Sequence, residues 1–153
     1  MSRSFDVIHR LTGKTLVTAE SLTGGGIGAS LTAVSGSSAV YKGGIISYTN
    51  EIKRNVLGVS QELLDRYGAV SAWVAGEMVT GVRNLMGADI AVSVTGLAGP
   101  TGDEFGHSVG TVFIGYEDHK QTIVKQYHFE GGRESVRSQT IDAALDLILQ
   151  YNP

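Results

Sequence analysis

The sequence predicts an α/β fold, a single domain over residues 1–153 with a mixed β-sheet of about five strands covered by helices on both faces. Three observations carry this. Short β-branched and apolar runs alternate with longer segments that open on serine or asparagine and close on glycine, the start and stop signals of helices. The run ADIAVSVTG, 88–96, is apolar on both faces, as a central strand covered from each side requires. The stretch VGTVFIGYEDHKQTIVKQYHF reads as two strands joined by a tight turn near 118–120, and such a hairpin must be antiparallel.

In chain order, KTLVTAE (14–20) is a strand that ends in a Ser/Thr/Gly cluster, and GGIGASLTAV is a helix that begins within the glycines. GGIISYT (43–49) is a second strand, after which Asn50 caps a short helix, EIKRNVLG, with Gly58 past its end. SQELLDRYG and SAWVAGEMVTGVRNLMG are two further helices, with Glu62 and Glu77 in their early turns. The last helix, RESVRSQTIDAALDLILQY, carries Val136, Ile141, Ala144, Leu145 and Ile148 on one stripe. Three loops, ESLTGG, TNE and TGLAGPTGDEFGH, then follow the C-terminal ends of candidate strands. In open α/β sheets that edge is where ligands bind, so one pocket is expected to collect all three.

Composition narrows the function. A net charge of −3, with 18 % charged and 42 % hydrophobic residues, fits a folded domain and argues against a nucleic-acid partner. The first residues, MSRSFDVIHRLTGK, lack the apolar core and cleavage site of a signal peptide, and no apolar run approaches the roughly 18 residues of a membrane span. The expectation is a cytoplasmic protein with no membrane partner. The chain has no cysteine, which excludes disulfides, thiol catalysis and thiolate metal sites. Its 21 glycines fall in pairs and triples between apolar segments, where the backbone must bend or approach something closely.

Several residues could carry chemistry. ESLTGGG is a strand-to-helix turn whose first helical N–H groups suit an anion, though such turns also serve plain helix entry. It lacks the Gly-Lys-Ser/Thr of a phosphate-binding Walker loop and is not a dinucleotide fingerprint. TGLAGPTGDEFGH is longer than a connection needs, and such loops are more often functional than structural. Asp103, Glu104 and His107 could ligate a metal, but three polar residues in a loop are usually solvated, and no metal is expected. His107 or His128 could serve a Ser–His–Asp triad, yet no G-x-S-x-G elbow places either beside a serine. In GSSAVYKGGIISYTNEIK (36–53), Ser38, Tyr48 and Lys53 offer another route. A neutral lysine can take a serine proton if burial lowers its pKa, with a tyrosine passing that proton between them. A surface lysine on a short helix is the alternative reading.

Taken in order and at these separations, AESLTGG, GSSAVYKGGIISYTNEIK, LLDRYGAVS, VTGLAGPTG, VGTV and GGRESVRSQ resemble the CinA C-terminal domain family. The resemblance runs from about Lys14 to Leu149 and is to the stand-alone PncC-type form, whose members hydrolyse the amide of nicotinamide mononucleotide. It implies an amidohydrolase that releases nicotinic acid mononucleotide and ammonia, with a nucleotide as its small-molecule partner, no cofactor, and a homo-oligomeric state. It also implies that Ser38 is the nucleophile and that Tyr48 and Lys53 activate it. Ser21, Thr23, Gly24 and Gly25 of the first block, Thr95, Gly96 and Gly99 of the TGLAGPTG loop, and Arg133 and Arg137 are then the expected substrate-binding residues. The contrasting possibility is a nucleotide-binding or regulatory domain that keeps the pocket without hydrolysis. Leu22 stands where the family commonly has cysteine, and His107-Ser108 replaces its Lys-Pro. The loop before that pair borders the expected pocket, so it bears on substrate choice.

Overall fold

A computed structural model describes residues 2–153. Five strands form one sheet in the order β2-β1-β3-β4-β5. They are β1 (Leu16–Glu20), β2 (Tyr41–Ile46), β3 (Ile90–Gly96), β4 (Thr111–Glu117) and β5 (Thr122–His128). β1 runs parallel to both β2 and β3, whereas β3, β4 and β5 are antiparallel neighbours. The sheet is therefore mixed, as the hairpin and the buried run of 90–96 required. Asp118 closes the hairpin by accepting the Lys120 and Gln121 N–H groups at 2.8 and 3.1 Å.

Six helices cover the sheet: α1 (Arg3–Arg10), α2 (Gly26–Thr32), α3 (Asn50–Asn55), α4 (Gln61–Tyr67), α5 (Ala72–Met86) and α6 (Arg133–Tyr151). Alternation along the strands assigns their side chains to two cores. Leu16, Ile90, Val92, Val94, Val112, Ile114 and Tyr116 face one side, where α1, α2 and α6 add Val7, Leu11, Ile27, Val136 and Leu145. Val17, Ala19 and Ala91 face the other, against Val74, Met78 and Val82 of α5 and Leu64 of α4. None of the described helices is long and apolar enough to cross a membrane.

Most boundaries follow the capping residues. Ser60 and Ser71 cap α4 and α5 by accepting the Leu63 and Val74 N–H groups, each at 3.1 Å, and Gly68 and Gly87 end these helices at positive φ. Three expectations shift. α1 was not anticipated, although Ser2 caps it and Val7, Ile8 and Leu11 bury its inner face. α3 is capped by Thr49, whose hydroxyl accepts the Ile52 N–H at 3.4 Å, and Asn50 becomes its first residue. β2 spans Tyr41–Ile46 instead of 43–49, because its pairing with β1 ends when β1 does, at Glu20.

Glu20 anchors the edge that follows. It is 3 % exposed, and its Oε1 accepts the Thr23 hydroxyl at 2.6 Å and the Ile27 N–H at 2.8 Å. Its Oε2 accepts the Gly28 N–H at 3.0 Å. A carboxylate at the first turn of α2 thus satisfies backbone donors that the helix cannot pair internally. It also pins the Ser21–Gly25 turn, in which Gly24 and Gly25 have φ of 60° and 104°. Glu20→Ala should lower the unfolding free energy by about 2 to 4 kcal/mol in urea denaturation, because it leaves these buried donors without a partner.

Candidate active site

The C-terminal edge of the parallel strands opens into a cavity of about 610 Å³. Its lining comes from the ends of β1 (Ser21, Leu22), β2 (Tyr48) and β3 (Thr95, Gly96), from α3 (Asn50, Lys53), from the loop that follows β3, and from Arg133 of α6. The three loops expected to share a pocket do share one.

Lys53 forms part of its wall. The side chain is 1 % exposed, although α3 is a short surface helix, so the surface-lysine reading does not hold. Its Nζ donates to Ser21 Oγ at 3.0 Å, to the Ser47 carbonyl at 2.8 Å and to the Tyr48 carbonyl at 3.3 Å. Among the described residues no carboxylate lies within ion-pair distance of it. Burial without a counter-charge disfavours the ammonium and lowers its pKa from 10.5 to about 8. The geometry also suits the neutral amine. Two N–H groups can donate to the two carbonyls while the lone pair accepts the Ser21 hydroxyl proton, which is the arrangement of a base beside its nucleophile.

The expected site residues divide into two groups. Ser21, Tyr48, Lys53, Thr95, Gly96, Gly99 and Arg133 line the cavity. Thr23, Gly24, Gly25 and Arg137 stand behind it. Thr23 is bonded to Glu20, and Arg137 donates from Nε to the Leu22 carbonyl at 2.9 Å and from Nη2 to the Thr23 carbonyl at 3.2 Å. Arg137 therefore buttresses the turn that carries Ser21. Arg133, in contrast, is exposed and reaches the cavity, donating from Nη1 to the Gly99 carbonyl at 2.8 Å and from Nη2 to the Tyr48 hydroxyl at 3.1 Å.

Ser38 stands apart from this group. It sits in the single turn Ser37–Ala39 that precedes β2, is exposed, and its carbonyl accepts Lys42 Nζ at 2.8 Å. Tyr48 and Lys53 follow the other end of the same strand. At ~3.3 Å per residue β2 alone holds the two ends roughly 16 Å apart. Within one chain Lys53 therefore cannot take the Ser38 proton, and the hydroxyl that it does meet is that of Ser21.

Other lining residues were not anticipated as site residues: Asn50, the Ala69–Val70 pair, and Phe105. Asn50 is read from the sequence as a cap, and Phe105 falls in the long TGLAGPTGDEFGH loop without being singled out within it. Asp103 and His107, weighed as metal ligands with Glu104, are hydrogen-bonded to each other, with Oδ2 and Nδ1 2.7 Å apart.

The family and fold follow from comparison with known proteins. The model of the CinA C-terminal domain matches residues 3–152. A CinA-like protein of Sulfurihydrogenibium sp. (strain YO3AOP1) is 49 % identical over 138 residues, 90 % of this chain and 34 % of that protein. A putative competence-damage inducible protein of Bacillus subtilis (strain 168) is 46 % identical over 138 residues, 90 % of this chain and 33 % of that one. The chain thus spans about a third of the length of these relatives. Among solved structures, the competence or damage-inducible protein of Enterobacter asburiae superposes with a TM-score of 0.96 at 31 % identity, covering 99 % of this chain and 96 % of its own. The CinA superfamily protein KP700603 of Klebsiella pneumoniae 700603 gives 0.94 at 37 % identity, covering 97 % and 94 %. With nearly its whole length matched in both sequence and fold, the chain belongs to the CinA C-terminal domain family.

Proposed function

We propose that this domain is an amidohydrolase that converts nicotinamide mononucleotide to nicotinic acid mononucleotide and ammonia, with Ser21 as nucleophile and Lys53 as its base. The observation that carries this reading is the buried Lys53 amine 3.0 Å from Ser21 Oγ on the cavity wall, with no carboxylate among the described residues to hold it charged. The resemblance of the sequence blocks to the PncC-type enzymes supplies the substrate.

Neutral Lys53 accepts the Ser21 proton as Oγ attacks the carboxamide carbon. The tetrahedral oxyanion is stabilised by backbone N–H groups of the Ser21–Gly25 turn. Collapse breaks the C–N bond, and the Lys53 ammonium returns its proton to the departing nitrogen, which leaves as ammonia. The acyl group remains as an ester on Ser21. Water, deprotonated by the regenerated amine, attacks this ester; as the acyl C–O bond breaks, the Lys53 ammonium returns the proton to Ser21 Oγ, and the product acid leaves as its carboxylate with its proton lost to solvent. Tyr48 takes a smaller part than the sequence suggested: its carbonyl helps to seat the amine and its hydroxyl accepts from Arg133. Arg133 meets the 5′-phosphate with donors near the N-terminus of α6.

Ammonia release tests the reaction directly. Ser21→Ala should reduce it by several orders of magnitude, whereas Ser38→Ala should leave it near wild type. Loss confined to Ser38→Ala would overturn the Ser21 assignment and require a second copy of the chain to bring Ser38 to Lys53. Absence of ammonia release from the wild type would favour a binding or regulatory domain.

The pH profile tests Lys53. Because the neutral amine is the active form, kcat/KM should rise about tenfold per pH unit below pH 8 and level off above it. Lys53→Arg should be inactive at every pH, since guanidinium stays charged. A flat profile would exclude the amine as base.

The two arginines should separate kinetically. Arg133→Ala should raise KM for the mononucleotide by roughly 10- to 200-fold, equivalent to about 1.5 to 3 kcal/mol. It should scarcely alter the poor activity expected on nicotinamide riboside, which lacks the phosphate. Arg137→Ala should depress turnover of both substrates alike, because it loosens the turn that carries Ser21.

A further inference from the structure

One wall of the cavity takes no part in the chemistry above. Phe105, on the loop between β3 and β4, lines the cavity and is 39 % exposed. An apolar ring on an exposed loop gains nothing from water, yet this one is seated from several directions. Asp103 Oδ1 accepts the Phe105 N–H at 3.1 Å and the His107 N–H at 2.9 Å, while Oδ2 meets His107 Nδ1. The His107 ring stands edge-on to Phe113 of β4, 6.2 Å between centroids at 78°, which ties this clasp to the sheet. On its other side the Phe105 ring lies against Gly68, where a Cβ would come within 2.5 Å of the ring. Gly68 has φ of 78°, so glycine is favoured there twice over, by backbone conformation and by the ring.

Charge is distributed around the cavity in a matching way. Arg133 reaches it from α6, whereas Asp103 and Glu104 reach it from the Phe105 loop. A ligand with a cationic planar ring and a separate anionic group suits that division. A positively charged ring also gains more from an aromatic face, and from nearby carboxylates, than a neutral one does.

We propose that Phe105 is a specificity residue whose ring packs on the cationic aromatic ring of the substrate, and that Asp103 and His107 are positioning residues that hold it there. The substrate class is a pyridinium carrying a distant phosphate. This rests on the amidohydrolase reading for the identity of the ring. It goes beyond that reading in assigning ring recognition to the loop in which His107-Ser108 replaces the family's Lys-Pro.

Steady-state kinetics with nicotinamide mononucleotide provide the test. Phe105→Ala should raise KM about tenfold or more with kcat within threefold of wild type, and Phe105→Tyr or Phe105→Trp should restore KM. Asp103→Ala should raise KM in the same way, and the double variant Phe105→Ala/Asp103→Ala should be no worse than Phe105→Ala alone, because both act through one ring. Equal, multiplying losses would overturn the positioning role. Calorimetric binding of the same nucleotide in a Ser21→Ala background repeats the measurement without turnover, and the Phe105→Ala change should weaken Kd by a similar factor. Nucleotide that binds the wild type but is not hydrolysed defeats the amidohydrolase reading and leaves this one standing. Hydrolysis with KM and Kd indifferent to Phe105→Ala defeats this one alone. Neither binding nor hydrolysis defeats both.

Discussion

A lysine amine that is almost wholly buried, with no carboxylate beside it among the described residues, is held by dipoles, and the cavity edge of this domain is arranged around that requirement. The dipoles come from two carbonyls just beyond β2 and from a hydroxyl just beyond β1. They converge because the two strands are parallel and end in register, Glu20 opposite Ile46. The Ser47 N–H then donates to the Glu20 carbonyl at 2.8 Å, which sets where the chain turns out of the sheet. An antiparallel pairing at this position would have sent one of those segments to the opposite edge. Sheet direction thus supplies the acceptors that seat the amine, and burial lowers its pKa.

Glu20 and Lys53 show how two buried ionisable groups can serve different ends. Glu20 is surrounded by donors from the turn and the first residues of α2, so its bonding capacity is spent on the scaffold. Lys53 faces the cavity and shares its polar contacts with a hydroxyl that can react. The same division separates the two arginines of α6. Arg137 spends its donors on the Leu22 and Thr23 carbonyls, while Arg133, four residues earlier on the helix, donates to the Gly99 carbonyl and the Tyr48 hydroxyl at the cavity. One helix therefore both braces the Ser21 turn and brings a guanidinium to the cavity.

Local chemistry made much of the architecture legible. Ser60, Ser71, Gly68 and Gly87 mark helix ends through bonds and conformations that belong to those residues themselves. The apolar run of β3 announces a central strand in the same way. Shifts arose where neighbours compete: Thr49 and Asn50 are both good caps, and only the path of the chain out of β2 decides which side chain faces the Ile52 N–H. The helical spacing of Val7, Ile8 and Leu11, which marks α1, spans little more than one turn and so stands out weakly in the sequence. The seating of Phe105 left no sequence signal, since it depends on Gly68, thirty-seven positions earlier.

By itself the sequence determined the kinds of element, the family resemblance, and Lys53 and Tyr48 as residues of one block, because these rest on composition and on short spacings. Which serine meets the lysine was decided only by the tertiary structure. Ser38 is closer to Lys53 along the chain than Ser21 is, but an extended strand intervenes and carries the two to opposite edges of the sheet. Ser21 is 32 residues away, yet parallel pairing of β1 with β2 returns the chain to the same edge and brings its hydroxyl to 3.0 Å from the amine. The direction of a strand is a non-local property, set by crossover connections and by which faces must be buried. Proximity along the chain therefore could not select the partner of Lys53.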